Sequence, residues 1–144
     1  MAYIVNQDII DRVGTGRAAQ LSAETGTTPS TTVLDEVRLS TESEVNGYLA
    51  KRYAVPVDLT AHADLAATLK GFALDIAAYR LHGRRPPVPE EVRRMRDEAV
   101  KWLENVAKGV IHLPAASTPA ASTADEPSMA WGSKEQNAAT VRDL

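Results

Sequence analysis

The chain has 144 residues, a formal charge of −3 at pH 7 and no cysteine. This length suits one domain with a hydrophobic core, and the lack of cysteine excludes disulfides and thiol chemistry. The small acidic excess argues against a protein whose main task is to grip nucleic acid, because such proteins usually carry a strong basic excess.

Residues 1–32 predict two short helical pieces. Asn6 can cap the first helix, because its side chain can accept a free backbone N–H. The apolar residues of the run IIDRV follow, and Gly14 can end this helix in the left-handed conformation. Residues 17–23 add a short turn of helix, and residues 24–32 form a loop that leads into the next helix.

Two long helices are predicted in the middle of the chain. The first begins near residues 29–32 and ends near Tyr53, before Pro56, because a residue that precedes proline avoids helical angles. Gly47 inside it indicates close approach by a neighbour. The second runs over 63–81 and should be the most deeply buried element. Apolar residues recur every three or four positions in both helices, at Leu34, Val37, Thr41, Val45 and Tyr48 and at Leu65, Leu69, Phe72, Ile76 and Tyr79.

Residues 75–92, DIAAYRLHGRRPPVPEEV, are predicted to form a corner between two helices. Gly83 can take the left-handed conformation that ends a helix, and His82 beside it can interact with the negative helix end. The prolines stiffen the bend and prevent helix continuation. Arg84 and Arg85 are therefore expected to point outward on a rigid corner.

The last predicted helix runs from Pro89 to about Lys108 and is ended by Gly109. Its first turn holds Glu90 and Glu91, which suit the positive end of a helix. The spacing predicts ion pairs Arg94–Glu98 and Asp97–Lys101. One face should be buried, formed by Val92, Met95, Ala99, Trp102, Leu103 and Val106.

The composition changes after Leu113, where PAASTPAAST duplicates five residues. We divide the chain into a helical domain (1–113), a linker rich in Pro, Ala, Ser and Thr (114–128) and a C-terminal arm (129–144), since the linker has too little apolar surface to order itself. The predicted fold is thus all-α, a small bundle of about four main helices with an extended arm. A tryptophan beyond a linker is either incidental or an anchor for a partner surface, and the docking candidates are Met129, Trp131, Val141 and Leu144.

Motifs for catalysis or metal binding are missing from the sequence. There is no glycine-rich phosphate loop, no HExxH and no serine in a nucleophile-elbow context, and the three histidines lie in separate segments. The carboxylates of Glu42, Glu44, Glu90 and Glu91 are interpreted as solvated surface groups. We therefore expect no catalytic residue, no metal and no cofactor. No apolar run reaches the ~20 residues of a membrane span, so we expect no membrane contact.

Arginines cluster around the corner and are the main candidates for contacts. A helix–turn–helix reader of DNA would have a tight turn and a polar recognition helix, whereas this turn is long and its following helix has a strong apolar face. A face that pairs with carboxylates of a partner protein is the favoured interpretation. The candidates for subunit or lumen contacts are Arg80, Arg84, Arg85, Arg93, Arg94 and Arg96.

Two stretches carry a resemblance to a known family. GYLAKRYAVPV at 47–57 and LKGFALDIAAYRLHGRRPPVPEEVRRMRDEAVKWLENVAKGVIHLP at 69–114 resemble a Mu-like phage protein family often filed as a domain of unknown function. The order of helices is also similar, and the resemblance covers roughly residues 1–114. The PAAST repeat departs from the pattern.

This resemblance implies a virion structural protein. Members of the family look like head–tail connector subunits (neck or adaptor proteins), which form a twelve-fold ring between the capsid portal and the tail, with DNA passing through the lumen. The implied partners are the portal protein and an adjacent neck or tail-terminator protein, with transient non-specific DNA contact. The implied location is the virion neck, and the host cytoplasm during assembly. The alternative is a non-enzymatic DNA-associated or regulatory helical module.

Overall fold

Five α-helices make up the computed structural model, which describes residues 3–115. The prediction of an all-α bundle is confirmed, with two short helices ahead of three long ones. The C-terminal arm and most of the predicted linker lie outside the described residues. The helices are α1 (Asn6–Val13), α2 (Thr15–Ser22), α3 (Thr31–Leu49), α4 (Ala63–His82) and α5 (Glu90–Lys108).

Helix α4 is the centre of the bundle, as its apolar and alanine-rich sequence predicts. It packs against each of the other four helices, and α3 and α5 also pack against each other. The alanines keep α4 slim, so that neighbours approach it on several sides and bury eight of its residues. These buried residues are Leu69, Ala73, Leu74, Ile76, Ala77, Ala78, Leu81 and His82.

The apolar stripes of α3 and α5 face this core. Leu34, Val45 and Leu49 of α3 are almost completely buried, as are Leu103 and Val106 of α5. Each such side chain contributes on the order of 1.5–3 kcal/mol through removal from water. Burial of these faces, more than helix propensity, therefore stabilises the two helices.

Helix α3 ends four residues earlier than predicted, at Leu49 instead of Tyr53. The chain leaves the helix through a turn because Tyr53 must reach the core from the loop, where Val57 and Leu59 are buried beside it. The Tyr53 hydroxyl accepts a hydrogen bond of 2.7 Å from the backbone N–H of Leu113. This bond ties the segment after α5 to the loop after α3.

The predicted cap of α1 is wrong by one residue. Val5 occupies the cap position, its backbone N–H donates to the Asp8 carboxylate at 2.9 Å, and Asn6 is the first helical residue. The amide of Asn6 instead donates to Asp35 of α3 at 2.7 Å. A tertiary partner thus takes the side chain that local sequence assigned to the helix end.

Of the four glycine predictions, only that for Gly109 is fully confirmed. Gly14 ends α1 with a positive φ of 90°, but its ψ of 143° lies outside the left-handed helical region. Gly109 takes a left-handed conformation with φ 86° and ends α5. Gly83 is right-handed, with φ −63° and ψ −17°, so the predicted left-handed cap is wrong there. Gly47 is exposed and has open space where a side chain would begin, so no described neighbour approaches it closely.

Candidate functional site

The corner between α4 and α5 is held to α2 by two arginines. Arg84 donates from Nε to the carbonyl of Leu21 at 2.9 Å. Arg85 donates from Nε to the carbonyl of Gln20 at 2.6 Å and from a terminal nitrogen to that of Ala23 at 3.1 Å. These carbonyls lie in the last turn of α2 and just beyond it, where helices have unpaired acceptors and a partial negative charge. The two predicted contact residues therefore also cap α2.

A second pair of predicted contact residues meets at Glu44, a residue of α3. Its carboxylate is 16% exposed and lies 2.5 Å from Arg80 and 3.4 Å from Arg96. Arg96 also stacks over the ring of Tyr79, with 5.3 Å from guanidinium carbon to ring centroid, an arrangement in which a cation is attracted to the ring face. We call Glu44, Arg80, Arg96 and Tyr79 the Glu44 cluster. It links α3, α4 and α5.

The sequence interpretation of the glutamates was wrong for the two on α3. Glu44 belongs to the Glu44 cluster, and Glu42 accepts hydrogen bonds from the backbone N–H groups of Tyr3 and Ile4 at 2.7 and 3.3 Å. Both carboxylates are mostly buried. Glu42 also has a local partner, Arg38, at 3.7 Å. The partners Arg80 and Tyr3 lie 36 and 39 residues away in sequence, so no local spacing could have indicated them.

The last two predicted contact residues, Arg93 and Arg94, lie on the exposed side of α5. Arg93 pairs with Glu90 at 3.2 Å and Arg94 with Glu98 at 3.3 Å, which confirms the predicted Arg94–Glu98 pair. The predicted Asp97–Lys101 pair is wrong, because Asp97 lies 3.8 Å from Arg96 instead. The six arginines thus fall into three separate groups, and among the described residues only the α5 pair has all of its ion-pair partners on its own helix.

A cleft of about 310 Å³ opens between α1, α4 and α5 on the corner side. We call it the corner cleft. Arg12 of α1 forms an ion pair with Asp75 of α4 inside it, and His82 and Glu91 lie on its wall. Burial raises the pKa of Asp75, while the hydrogen bond from Arg12 opposes that effect in part. The apolar part of the wall consists of Val13, Ala78, Val92 and Met95.

His82 is 7% exposed, and its position is structural as predicted. The prediction was a general interaction between His82 and the negative end of the helix. The structure shows a specific partner instead, since Nδ1 of His82 lies 2.8 Å from the carbonyl oxygen of Ala78. The corner cleft itself was not found by sequence reasoning, because Arg12 and Asp75 are 63 residues apart. The sequence does not say how α1 and α4 pack against each other, so the opposite charges of Arg12 and Asp75 could not be recognised as an ion pair.

Two negative findings apply to the described residues. Among residues 3–115, no three His, Asp or Glu side chains lie close enough together to hold a metal ion. In the same residues, no helix combines the length and the apolar character needed to cross a membrane. The docking candidates Met129, Trp131, Val141 and Leu144 lie outside this part of the chain.

These features define a small all-α protein in which ion pairs and arginine–carbonyl bonds join the helices. The family model for bacteriophage Mu, Gp36 matches residues 3–131, and the chain belongs to that family. It is therefore a Mu-like phage protein. The match continues past residue 114 through the PAAST repeat to Trp131, which is further than the sequence analysis assigned. No match was found in a search of curated proteins.

Proposed function

We propose that the protein is a head–tail connector subunit, which forms a ring between the capsid portal and the tail with DNA passing through the lumen. The observation that carries this proposal is the match to the Mu Gp36 family over residues 3–131. The proposed place is the virion neck, with assembly in the host cytoplasm. The role is structural and non-catalytic.

The charge pattern of the described surface supports this role. On α5 the exposed arginines alternate with glutamates that pair with them, as in Arg93–Glu90 and Arg94–Glu98. A wall that DNA must slide past should not bind phosphates tightly, because each phosphate contact adds salt-dependent affinity. A balanced helix face suits transient, non-specific contact with passing DNA.

The chain beyond residue 115 supplies the proposed contact with a neighbour. Trp131 and Met129 are large apolar side chains that follow a segment rich in small residues. Such an arm can order itself on a partner surface. The proposed partners are the portal protein and an adjacent neck or tail-terminator protein.

The decisive experiment combines genetics with microscopy. A phage that lacks this gene should accumulate DNA-filled heads and separate tails, and the wild-type gene supplied in trans should restore joined particles. Purified protein mixed with the portal should form rings that are visible by electron microscopy. These rings should be twelve-fold if their symmetry matches that of the portal. Normal virions from the deletion phage would overturn the proposal. Sequence-selective binding to duplex DNA at physiological salt would favour a DNA-associated module.

Deletion of residues 116–144 separates folding from attachment. The deletion keeps every described residue of the core, up to Leu113 and the adjoining Ala115. We therefore expect the melting temperature to stay unchanged while attachment to the portal weakens about ten-fold or more. Trp131→Ala in the full chain should reproduce part of that loss, and Trp102→Ala, on the half-buried face of α5, should instead lower stability. A large drop in melting temperature on deletion would show that the arm belongs to the core.

A further inference from the structure

His82 leaves one hydrogen-bonding position open in the corner cleft. Because the carbonyl of Ala78 can only accept, the Nδ1 atom at 2.8 Å carries the proton. In the neutral ring Nε2 is then an acceptor, and it has no partner in residues 3–115. His82 lines the cleft, and its Nε2 is not one of the fully buried side-chain atoms that lack a partner, so this acceptor is reachable from the cleft. A donor that enters the cleft can therefore bind it.

The charges around the cleft favour a cationic donor. Arg12 and Asp75 neutralise each other, and Glu98, which acts on Asp75 electrostatically, is paired with Arg94. Glu91 remains on the wall with its side chain 76% exposed and Arg94 only at 3.9 Å. An occupant with an apolar stem and a cationic head would pack the stem against Val92 and Met95, as lysine stems do on apolar surface.

The opposite end of the domain carries cations without partners. Lys51, Arg52 and Lys108 form no ion pair with any described residue. Lys51 and Lys108 line a shallow groove with Tyr48, Glu104 and Ala107. We call Lys51, Arg52 and Lys108 the basic end. It lies roughly 25 Å from Glu91, since 17 residues of α5 separate Glu91 from Lys108 and each adds about 1.5 Å.

We infer that the corner cleft receives the basic end of a second copy of this chain, with the ammonium group of Lys108 directed at Glu91 and at Nε2 of His82. The two surfaces differ and lie at opposite ends, so each copy can receive one neighbour and engage another. Such head-to-tail contact closes into a ring when the rotation allows it. This inference rests on the proposed connector function, to which it adds the interface.

The chain has no cysteine, so cross-linking can report which surfaces meet. Glu90→Cys places a thiol beside the cleft and Val110→Cys places one beside the basic end, at residues 86% and 69% exposed. Both variants keep Glu91 and Lys108. A short bis-maleimide added to the mixed full-length variants should join them about ten-fold faster than it joins Glu90→Cys to Ser43→Cys on the exposed side of α3. Salt should slow the reaction.

Charge exchange tests the named residues. Lys108→Glu in the Val110→Cys chain should lower the cross-linking rate to that of the Ser43→Cys control. Adding Glu91→Lys to the Glu90→Cys partner chain should then raise the rate again, because the two charges are exchanged. Melting curves verify that each variant is folded. Equal rates for the cleft pair and the control pair would overturn the inference, as would an unchanged rate with Lys108→Glu.

The two proposals can fail separately. Portal-dependent rings without preferential cross-linking would overturn this interface and leave the connector function standing. Preferential cross-linking in a protein whose gene is not needed to join heads to tails would support the interface and overturn the connector function.

Discussion

Two groups of arginines carry the same charge and play different roles. Arg80 and Arg96 reach across to Glu44, which is mostly buried between helices, whereas Arg93 and Arg94 pair with glutamates on their own helix. Pairs of the first kind determine how α3, α4 and α5 sit together. Pairs of the second kind contribute little, because both partners are solvated. A count of arginines near the corner therefore does not indicate which ones are available to a partner.

Glu44→Gln should give the largest loss. It removes the charge that Arg80 and Arg96 share and leaves their guanidinium groups without a carboxylate. We expect a loss of about 2 kcal/mol in the free energy of unfolding, typical of hydrogen bonds to charged groups, measured by urea denaturation. Glu36→Gln on the exposed side of the same helix is the control and should stay within about 0.5 kcal/mol of wild type. Equal effects of the two would show that the Glu44 cluster is merely a surface contact.

Arg84→Ala combined with Arg85→Ala should come next, at about 1 kcal/mol. These arginines donate to the carbonyls at the end of α2, so their loss leaves the last turn of α2 without its caps. Amide hydrogen exchange should rise in α2 more than in α4. Arg17→Gln, which removes an exposed arginine of α2 itself, serves for comparison. Unchanged exchange in α2 would mean that both side chains are free for contacts with other subunits.

Arg93→Gln combined with Arg94→Gln should change stability by less than about 0.5 kcal/mol, because exposed pairs within one helix contribute a few tenths each. The same variant should weaken any non-specific DNA binding at low salt, by reducing the slope of affinity against salt. A stability loss as large as that of Glu44→Gln would remove the distinction between the two groups.

Asp75→Asn should produce the smallest effect, a change in how steeply the free energy of unfolding varies with pH. Its folded pKa is raised above the ordinary 3.8, so the folded state holds the proton more tightly than the unfolded state. The resulting stability is fully present below pH 3.8 and is lost as pH rises through the raised pKa. Asparagine does not titrate, so the Asp75→Asn variant lacks this loss of stability. As the pH rises from 3.8 through the raised pKa of Asp75, the wild type should therefore lose stability relative to the variant, measured by thermal melting. An opposite trend would mean that the Arg12 pair outweighs burial.

Much of the fold could be predicted from the chain order of apolar residues. The apolar stripes of α3, α4 and α5 and the end of α5 at Gly109 were predicted correctly, because periodicity and backbone sterics act over a few residues. The errors at Asn6 and Tyr53 share one cause, because a distant group or a place in the core overrode a local preference. For Asn6 that preference is worth only about 1 kcal/mol. Gly83 makes only local backbone contacts, and nothing in the structure explains its right-handed conformation.

The candidate sites divide in the same way. The sequence determined by itself the helical class, the buried face of each long helix, the local pair Arg94–Glu98 and the likeness to a phage family, since these depend on residues near one another or on the order of motifs. Only the tertiary structure decided that Arg84 and Arg85 cap α2, that Glu44 gathers two arginines, and that Arg12, Asp75 and His82 share one cleft. The physical reason is that these contacts join residues tens of positions apart, and their distances depend on how the helices pack rather than on any spacing along the chain.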